Sequence, residues 1–276
     1  MKYYTPSSLS ELNDLFLQTN NSKITILSGG TDILPRWEEG ITLPKHLIDL
    51  KKINSISGIV EHDNKIIIGA LTTVQDIYKS ELIKTKYTAL HQAASQFAGV
   101  QIRHRATIGG NICNASPAGD LLPGLYVHNA MIELTGPNGT RKLPINKCIT
   151  GVGKTTLNNN EIVSAVILEK TEELSVFYKL GLRQSMAISV VNFAIAYRQT
   201  SPNLFDLQSI AAGAVAPTVV YLKEFTKAVN EGLPLEKAIS LIEHDISPID
   251  DIRASADYRK TVLKNLLTHK LKELYV

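Results

Sequence analysis

The chain has 276 residues, of which 44% are hydrophobic and 20% charged, the mix of an ordinary folded protein and far from a disordered or fibrous one. That length suits roughly two domains of about 150 residues each, and a net charge of +3 spread along the sequence gives no footing for nucleic acid or an acidic membrane surface. Two cysteines, Cys113 and Cys148, are too few for a disulfide framework or for an iron-sulfur cluster, which takes about four.

The start, MKYYTP, lacks the apolar core of a signal peptide, and there is no apolar run of about 18 residues, so the expectation is a cytoplasmic protein with no membrane span. Ile24 to Ser28 is a β-branched run ending at Gly29-Gly30, a strand leading into a tight turn. Leu47 to Leu50 and Lys65 to Ala70 read as further strands, and Val74 to Phe97 as two helices closed by Gly99. Thr107 to Asp120, TIGGNICNASPAGD, shows neither helical nor strand periodicity and is expected to be a loop. MIELTG and TRKLPI, starting at Met131 and Thr140, flank Pro137-Asn138-Gly139, where Asn-Gly predicts a type I′ hairpin turn. Ile162 to Leu168, Val176 to Leu180, Ile188 to Tyr197 and Ile210 to Val215 are strand-like. Helical spacing marks Tyr221 to Asn230, Leu235 to Glu243 and Ala254 to Leu274, the last with Tyr258, Val262, Leu266 and Leu267 on one face. Boundaries are expected near residues 56 and 177, dividing 1–176 into two subdomains and leaving 177–276 as a second domain.

Two segments have the chemistry of a phosphate site. Leu27-Ser28-Gly29-Gly30-Thr31-Asp32-Ile33-Leu34 and Thr107-Ile108-Gly109-Gly110-Asn111 each pair two glycines with a hydroxyl neighbour. Such turns let main-chain N–H groups converge on an anion, and two of them, eighty residues apart, could grip one dinucleotide's pyrophosphate from both sides. No Gly-x-Gly-x-x-Gly occurs, which removes the Rossmann fingerprint. Gly151-Val-Gly-Lys-Thr-Thr156 imitates the end of a Walker A loop, but Cys148 stands where its first glycine belongs, so a surface loop is expected. The histidines have no metal-ligand spacing and no Gly-x-Ser-x-Gly elbow offers a nucleophile. Arg103-His104-Arg105 could offset phosphate charge, meet a partner, or be solvated; Cys113 reads as packing rather than redox chemistry.

The two glycine segments, in this order, resemble the FAD subunit of the molybdenum hydroxylases, the group of xanthine, carbon monoxide and nicotinate dehydrogenases. The longest match is Gln101 to Asp120, and Gly69 to Thr73, Gly213 to Thr218 and Arg253 to Arg259 extend it over nearly the whole chain. The resemblance implies an α+β fold: a two-part FAD-binding domain of the PCMH/vanillyl-alcohol-oxidase-like type, then a smaller sheet-and-helix C-terminal domain. It implies FAD held by Leu27 to Leu34 (Gly29, Gly30 and Thr31 on one side of the pyrophosphate) and by Thr107, Ile108, Gly109, Gly110 and Asn111 on the other. Asn114 and Asp120 would serve the same site, Asp120 through a polar group of the flavin half, and Phe97, Ile162 and Lys179 would line the flavin pocket.

It further implies a large molybdenum-cofactor subunit where hydroxylation occurs, a small 2Fe–2S subunit that relays electrons, and an acceptor such as NAD or another oxidant. In that scheme no catalytic acid, base or nucleophile is required of this chain. The branch that reduces an aromatic thioester carries an extra cysteine-bearing insertion that is missing here. The competing expectation is a cofactor-free assembly module of the same complex.

Overall fold

The computed structural model describes residues 1–19, 24–40, 44–183, 186–201 and 204–274. Among the described residues the strands form three larger sheets and one two-stranded hairpin, with helices packed on the larger sheets, an α+β architecture. The first unit is a parallel sheet in which His46–Asp49 lies between Lys2–Tyr4 and Ile24–Leu27. The helix Leu9–Thr19 places Leu12 and Phe16, four residues apart on one face, against Ile48, Leu50, Ile53 and Ile56.

The second unit is a five-stranded antiparallel sheet in the order Ile59–His62, Lys65–Gly69, Ile162–Glu169, Met131–Gly136, Gly139–Pro144. Its central strand is buried from Ile162 through Leu168, which is why it reads as an almost unbroken apolar run instead of an alternating one. Three short helices, Val74–Lys79, Glu81–Lys86 and Thr88–Ser95, stand where two were expected. The additional break arises because the Ser80 hydroxyl accepts from the Ile83 amide and starts a new helix. Gly99 opens the next helix, Val100–Arg103, rather than closing one; the left-handed residue that ends the helical segment is Ala98, at φ 37°.

The hairpin at Met131 is present, but its turn is not type I′. Gly136 pairs with Gly139, so Pro137 and Asn138 are the central residues, and neither has positive φ. Proline cannot take positive φ, and Gly139, at φ 104°, takes the left-handed conformation instead.

The third unit is an antiparallel sheet in the order Leu174–Gly181, Ser189–Ser201, Leu204–Gly213, Val220–Tyr221. The chain changes sheet between Glu169 and Leu174. From Ser189 to Tyr197 the long strand is buried on both faces. Phe193 and Ile195 pack with Phe225, Leu263, Leu267 and Leu271 of the C-terminal helices, while Ala194, Ala196 and Ala211 join the core of the middle unit. Alanines on that face let the helices Thr88–Ser95 and Leu121–Val127 approach the sheet closely.

The last helix, Ala256–Leu274, buries Arg259, Leu263, Leu267 and Leu271, a stripe rotated from the expected one. Tyr258 is half exposed, and Val262 and Leu266 flank the core. Three leucines at spacing four present more apolar area than the face containing Tyr258, and they decide which side docks. Leu235–Ala238 is α-helical and Ile239–His244 continues as a 3-10 helix.

Candidate flavin site

The strand Ile24–Leu27 delivers the chain into Ser28, Gly29 and Gly30, and the helix Ile33–Glu38 follows at once. Gly30 has φ 77°, a conformation that side chains other than glycine's adopt at a cost. At Gly29 the constraint is a close approach, since a β-carbon would stand 1.9 Å from the carbonyl oxygen of Arg105. The first glycine segment therefore lies directly against the second.

Their junction is a chain of hydroxyls. Thr107 donates from Oγ1 to Ser28 Oγ at 3.3 Å and accepts the Gly110 amide at 3.0 Å. That second bond makes Thr107 the N-cap of a helix, Ile108–Asn114, terminated by Ala115 in the left-handed conformation at φ 46°. Part of the expected loop 107–120 is thus helical, and Leu121–Val127 is a helix directly after it. Gly109 and Gly110 hid this helix from periodicity because they contribute no side chain to a pattern. They are small here because a β-carbon on Gly109 would meet Ala70 Cβ at 2.7 Å, and one on Gly110 would meet Thr107 Oγ1 at 2.9 Å.

The two segments differ in what they can offer an anion. The amides of Ile108, Gly109, Gly110 and Asn111 are all engaged within the chain, by Thr72 O, Ala70 O, Thr107 Oγ1 and Thr107 O. Main-chain donors on the second segment are therefore not available to an anion. Among the described residues, the N–H groups of Gly29, Gly30, Thr31 and Asp32 have no protein acceptor. On the second segment, Asn111 Oδ1 is buried without a partner among the described residues. Donors left free in a glycine turn, an orphaned buried amide oxygen on the adjoining segment and hydroxyls at the junction fit a polar, anionic cofactor.

A second cluster lies around Asp120. Its Oδ2 takes Lys179 Nζ at 2.5 Å, and its Oδ1 takes Ser189 Oγ at 2.6 Å and Asn192 Nδ2 at 3.1 Å. The Asp120 and Lys179 side chains are 9% and 6% exposed, so this ion pair is buried. Lys179 also donates to the carbonyl of Gln96, the residue before Phe97.

The remaining expected residues are scattered by comparison. Phe97 is half buried at the edge of the central core. Leu27 is buried, Leu34 is largely exposed, and Asp32 faces Arg36 at 3.4 Å. Ile162 lies inside the first unit's core with Ile56 and Leu71, and Asn114 is half buried on the helix after Gly110. Arg103 is occupied with the carbonyls of Phe97 and Ala98 and with Gln75, so it shapes the segment before Gly99 and is not free to meet a phosphate. Ser189 and Asn192 were missed in the sequence. Their signal was present, since they are the polar residues in the apolar run Ile188 to Tyr197.

The Walker-like string is a two-stranded hairpin, Ile149–Gly151 with Lys154–Thr155, and has no following helix N-terminus to receive a phosphate. Cys113 reaches solvent on one side, but the protein around its other sides, then Cys148, pushes its thiol up to about 12.

Residues 1–169 match the model of the FAD binding domain in molybdopterin dehydrogenase, and residues 176–274 that of the CO dehydrogenase flavoprotein C-terminal domain. The chain is 29% identical to the xanthine dehydrogenase FAD-binding subunit of Escherichia coli O157:H7, covering 98% of this chain and 94% of that one. It is also 29% identical to the nicotinate dehydrogenase FAD-subunit of Eubacterium barkeri, over 100% and 95% of the two chains. Among solved structures, the carbon monoxide dehydrogenase of Hydrogenophaga pseudoflava superposes with a TM-score of 0.89 at 26% identity, covering 98% of this chain and 95% of that one. With both domain models matched in order over nearly its full length, the chain belongs to the flavoprotein family of the molybdopterin dehydrogenases and carries that family's FAD-binding domain.

Proposed function

We propose that this chain is the electron-transfer flavoprotein subunit of a molybdenum-containing dehydrogenase. It would take electrons from the 2Fe–2S clusters of a small subunit, themselves reduced by a large molybdenum-cofactor subunit, and deliver them to an external acceptor such as NAD. FAD, when bound, supplies the redox chemistry, and the protein supplies placement and local charge. The free amides of Gly29 to Asp32 would hold the pyrophosphate; Thr107 and Asn111 would meet it with side chains. Gly109 and Gly110 serve by being small, which keeps the helix start close to Ala70 and Ser28. Asp120 and Lys179 would carry the polar contacts of the flavin half, with Phe97 as apolar wall; the Ile162 side chain is taken up by the core of the first unit.

The observation that carries this reading is the contact between the two glycine segments, 3.3 Å from Thr107 to Ser28, with unengaged donors on one side of it. A cofactor-free assembly role gives no account of those unengaged donors or of the orphaned Asn111 oxygen. A place in the cytoplasm beside the two partner subunits is part of the same proposal. The test is to purify the full chain, add FAD, remove the excess and record the visible spectrum. A yellow protein is expected, and one that remains colourless refutes the reading. Co-expression with a cysteine-rich small subunit and a molybdenum-binding large subunit should give a complex whose flavin is bleached by the organic substrate.

A further inference from the structure

The carboxylate of Asp120 belongs to the flavin domain, yet among the described residues every donor on it comes from the C-terminal sheet. Lys179 lies on Leu174–Gly181, and Ser189 and Asn192 on Ser189–Ser201. Asn192 is fully buried and shares the face of Ala194 and Ala196 that packs on the flavin domain. Its Nδ2 also donates to Ser189 Oγ at 3.2 Å, so the two side chains hold Asp120 Oδ1 as a pair.

The same sheet grips the backbone leading to Asp120. The Ala214 amide donates to Pro117 O at 2.8 Å, and Gly213 lies so near that a β-carbon there would meet Pro117 O at 2.8 Å and Asn192 Oδ1 at 2.2 Å. Both strand ends are fastened from behind by Arg259, which donates to Val190 O at 2.6 Å and Ala214 O at 3.2 Å and pairs with Asp251 at 2.7 Å.

We infer that Ser189 and Asn192 are positioning residues of the flavin site, fixing the Asp120 carboxylate and through it the Lys179 ammonium, so that the flavin half of the site is assembled by docking of the C-terminal sheet. The inference rests on the proposed FAD site. It makes the C-terminal unit a part of the cofactor site and not only a neighbour of it. A buried carboxylate with three donors keeps one orientation, and losing a donor lets it rotate about its last bond.

The test uses the full chain with Ser189→Ala, Asn192→Asp and, as a control, Phe225→Leu, which trims the core on the opposite face of the sheet. FAD affinity is read by fluorescence titration, stability by melting of the FAD-free chain, and local charge by the reduction potential of the bound flavin. Ser189→Ala should bind FAD about tenfold more weakly, the scale of one lost hydrogen bond to a charged group. Asn192→Asp should bind more weakly still and shift the potential, because two buried carboxylates 3.1 Å apart cannot both stay ionised and the shared proton disturbs the Asp120–Lys179 pair. Phe225→Leu should lower the melting temperature while keeping wild-type affinity and potential. The inference is overturned if Ser189→Ala and Asn192→Asp match the wild type in affinity and potential, or lose affinity only in step with stability as the control does. A wild-type chain that takes up no FAD overturns the functional reading, and this inference with it.

Discussion

Replacing Gly110 by valine tests the junction of the two glycine segments. A β-carbon there stands 2.9 Å from Thr107 Oγ1 and 3.1 Å from Ser28 Oγ, both tighter than ordinary contact. Thr107 must rotate away or the helix start must shift, and either movement breaks the bonds from the Gly110 amide and to Ser28. Losing the cap costs about 1 kcal/mol, and losing the hydroxyl link about 1 kcal/mol more. Together they should lower the melting temperature of the FAD-free chain by roughly 4 °C for a protein of this size.

Binding should suffer more, because the added methyls enter the space between the segments where the pyrophosphate is proposed to lie. At least a tenfold loss of affinity, about 1.4 kcal/mol, is expected. The assay is a melt without FAD, followed by titration with FAD well below both midpoints. Gly29→Ala is the contrast, because its β-carbon would strike the Arg105 backbone and should unfold the region whether or not flavin is present. A Gly110→Val chain that binds FAD as tightly as wild type refutes the reasoning.

Asp120→Asn should cost about 3–5 kcal/mol in urea unfolding, since it leaves the buried Lys179 ammonium without a counter-charge; pairing it with Lys179→Met should recover part of the loss. His128 is buried against Ser175 and Tyr87, and burial pulls its imidazole from the ordinary 6.5 down to about 4, so it is neutral in the fold. The unfolded chain takes the proton first, so its stabilising contribution is complete above the unfolded value and declines as pH falls from about 6.5 to about 4, by about 3 kcal/mol in all. Urea midpoints at pH 7 and pH 5 should diverge more for wild type than for His128→Gln.

Local signals carried much of this molecule. β-branched runs marked the strands Ile24–Leu27 and Ile162–Glu169, and paired glycines marked the two segments that meet at Ser28 and Thr107. Those features were legible because strand propensity and the need for a missing side chain act within a few residues. The string TIGGNICNASPAGD concealed its helix for the same reason, since glycine-rich composition masks a pattern that depends on side chains. Asn-Gly does not form a type I′ turn here because Pro137 takes the first central position, where positive φ is closed to it.

The residue types able to hold a dinucleotide, and their order along the chain, were determined by the sequence alone. Only the tertiary structure decided which of them have hydrogen-bonding capacity left over. The amides at Gly29 to Asp32 remain open while those at Ile108 to Asn111 are consumed by Thr72, Ala70 and Thr107, and Asp120 is held by Ser189 and Asn192 some seventy residues later. A donor's availability depends on which distant acceptor the packed chain brings to it, and that is a property of three-dimensional neighbours that no local string contains.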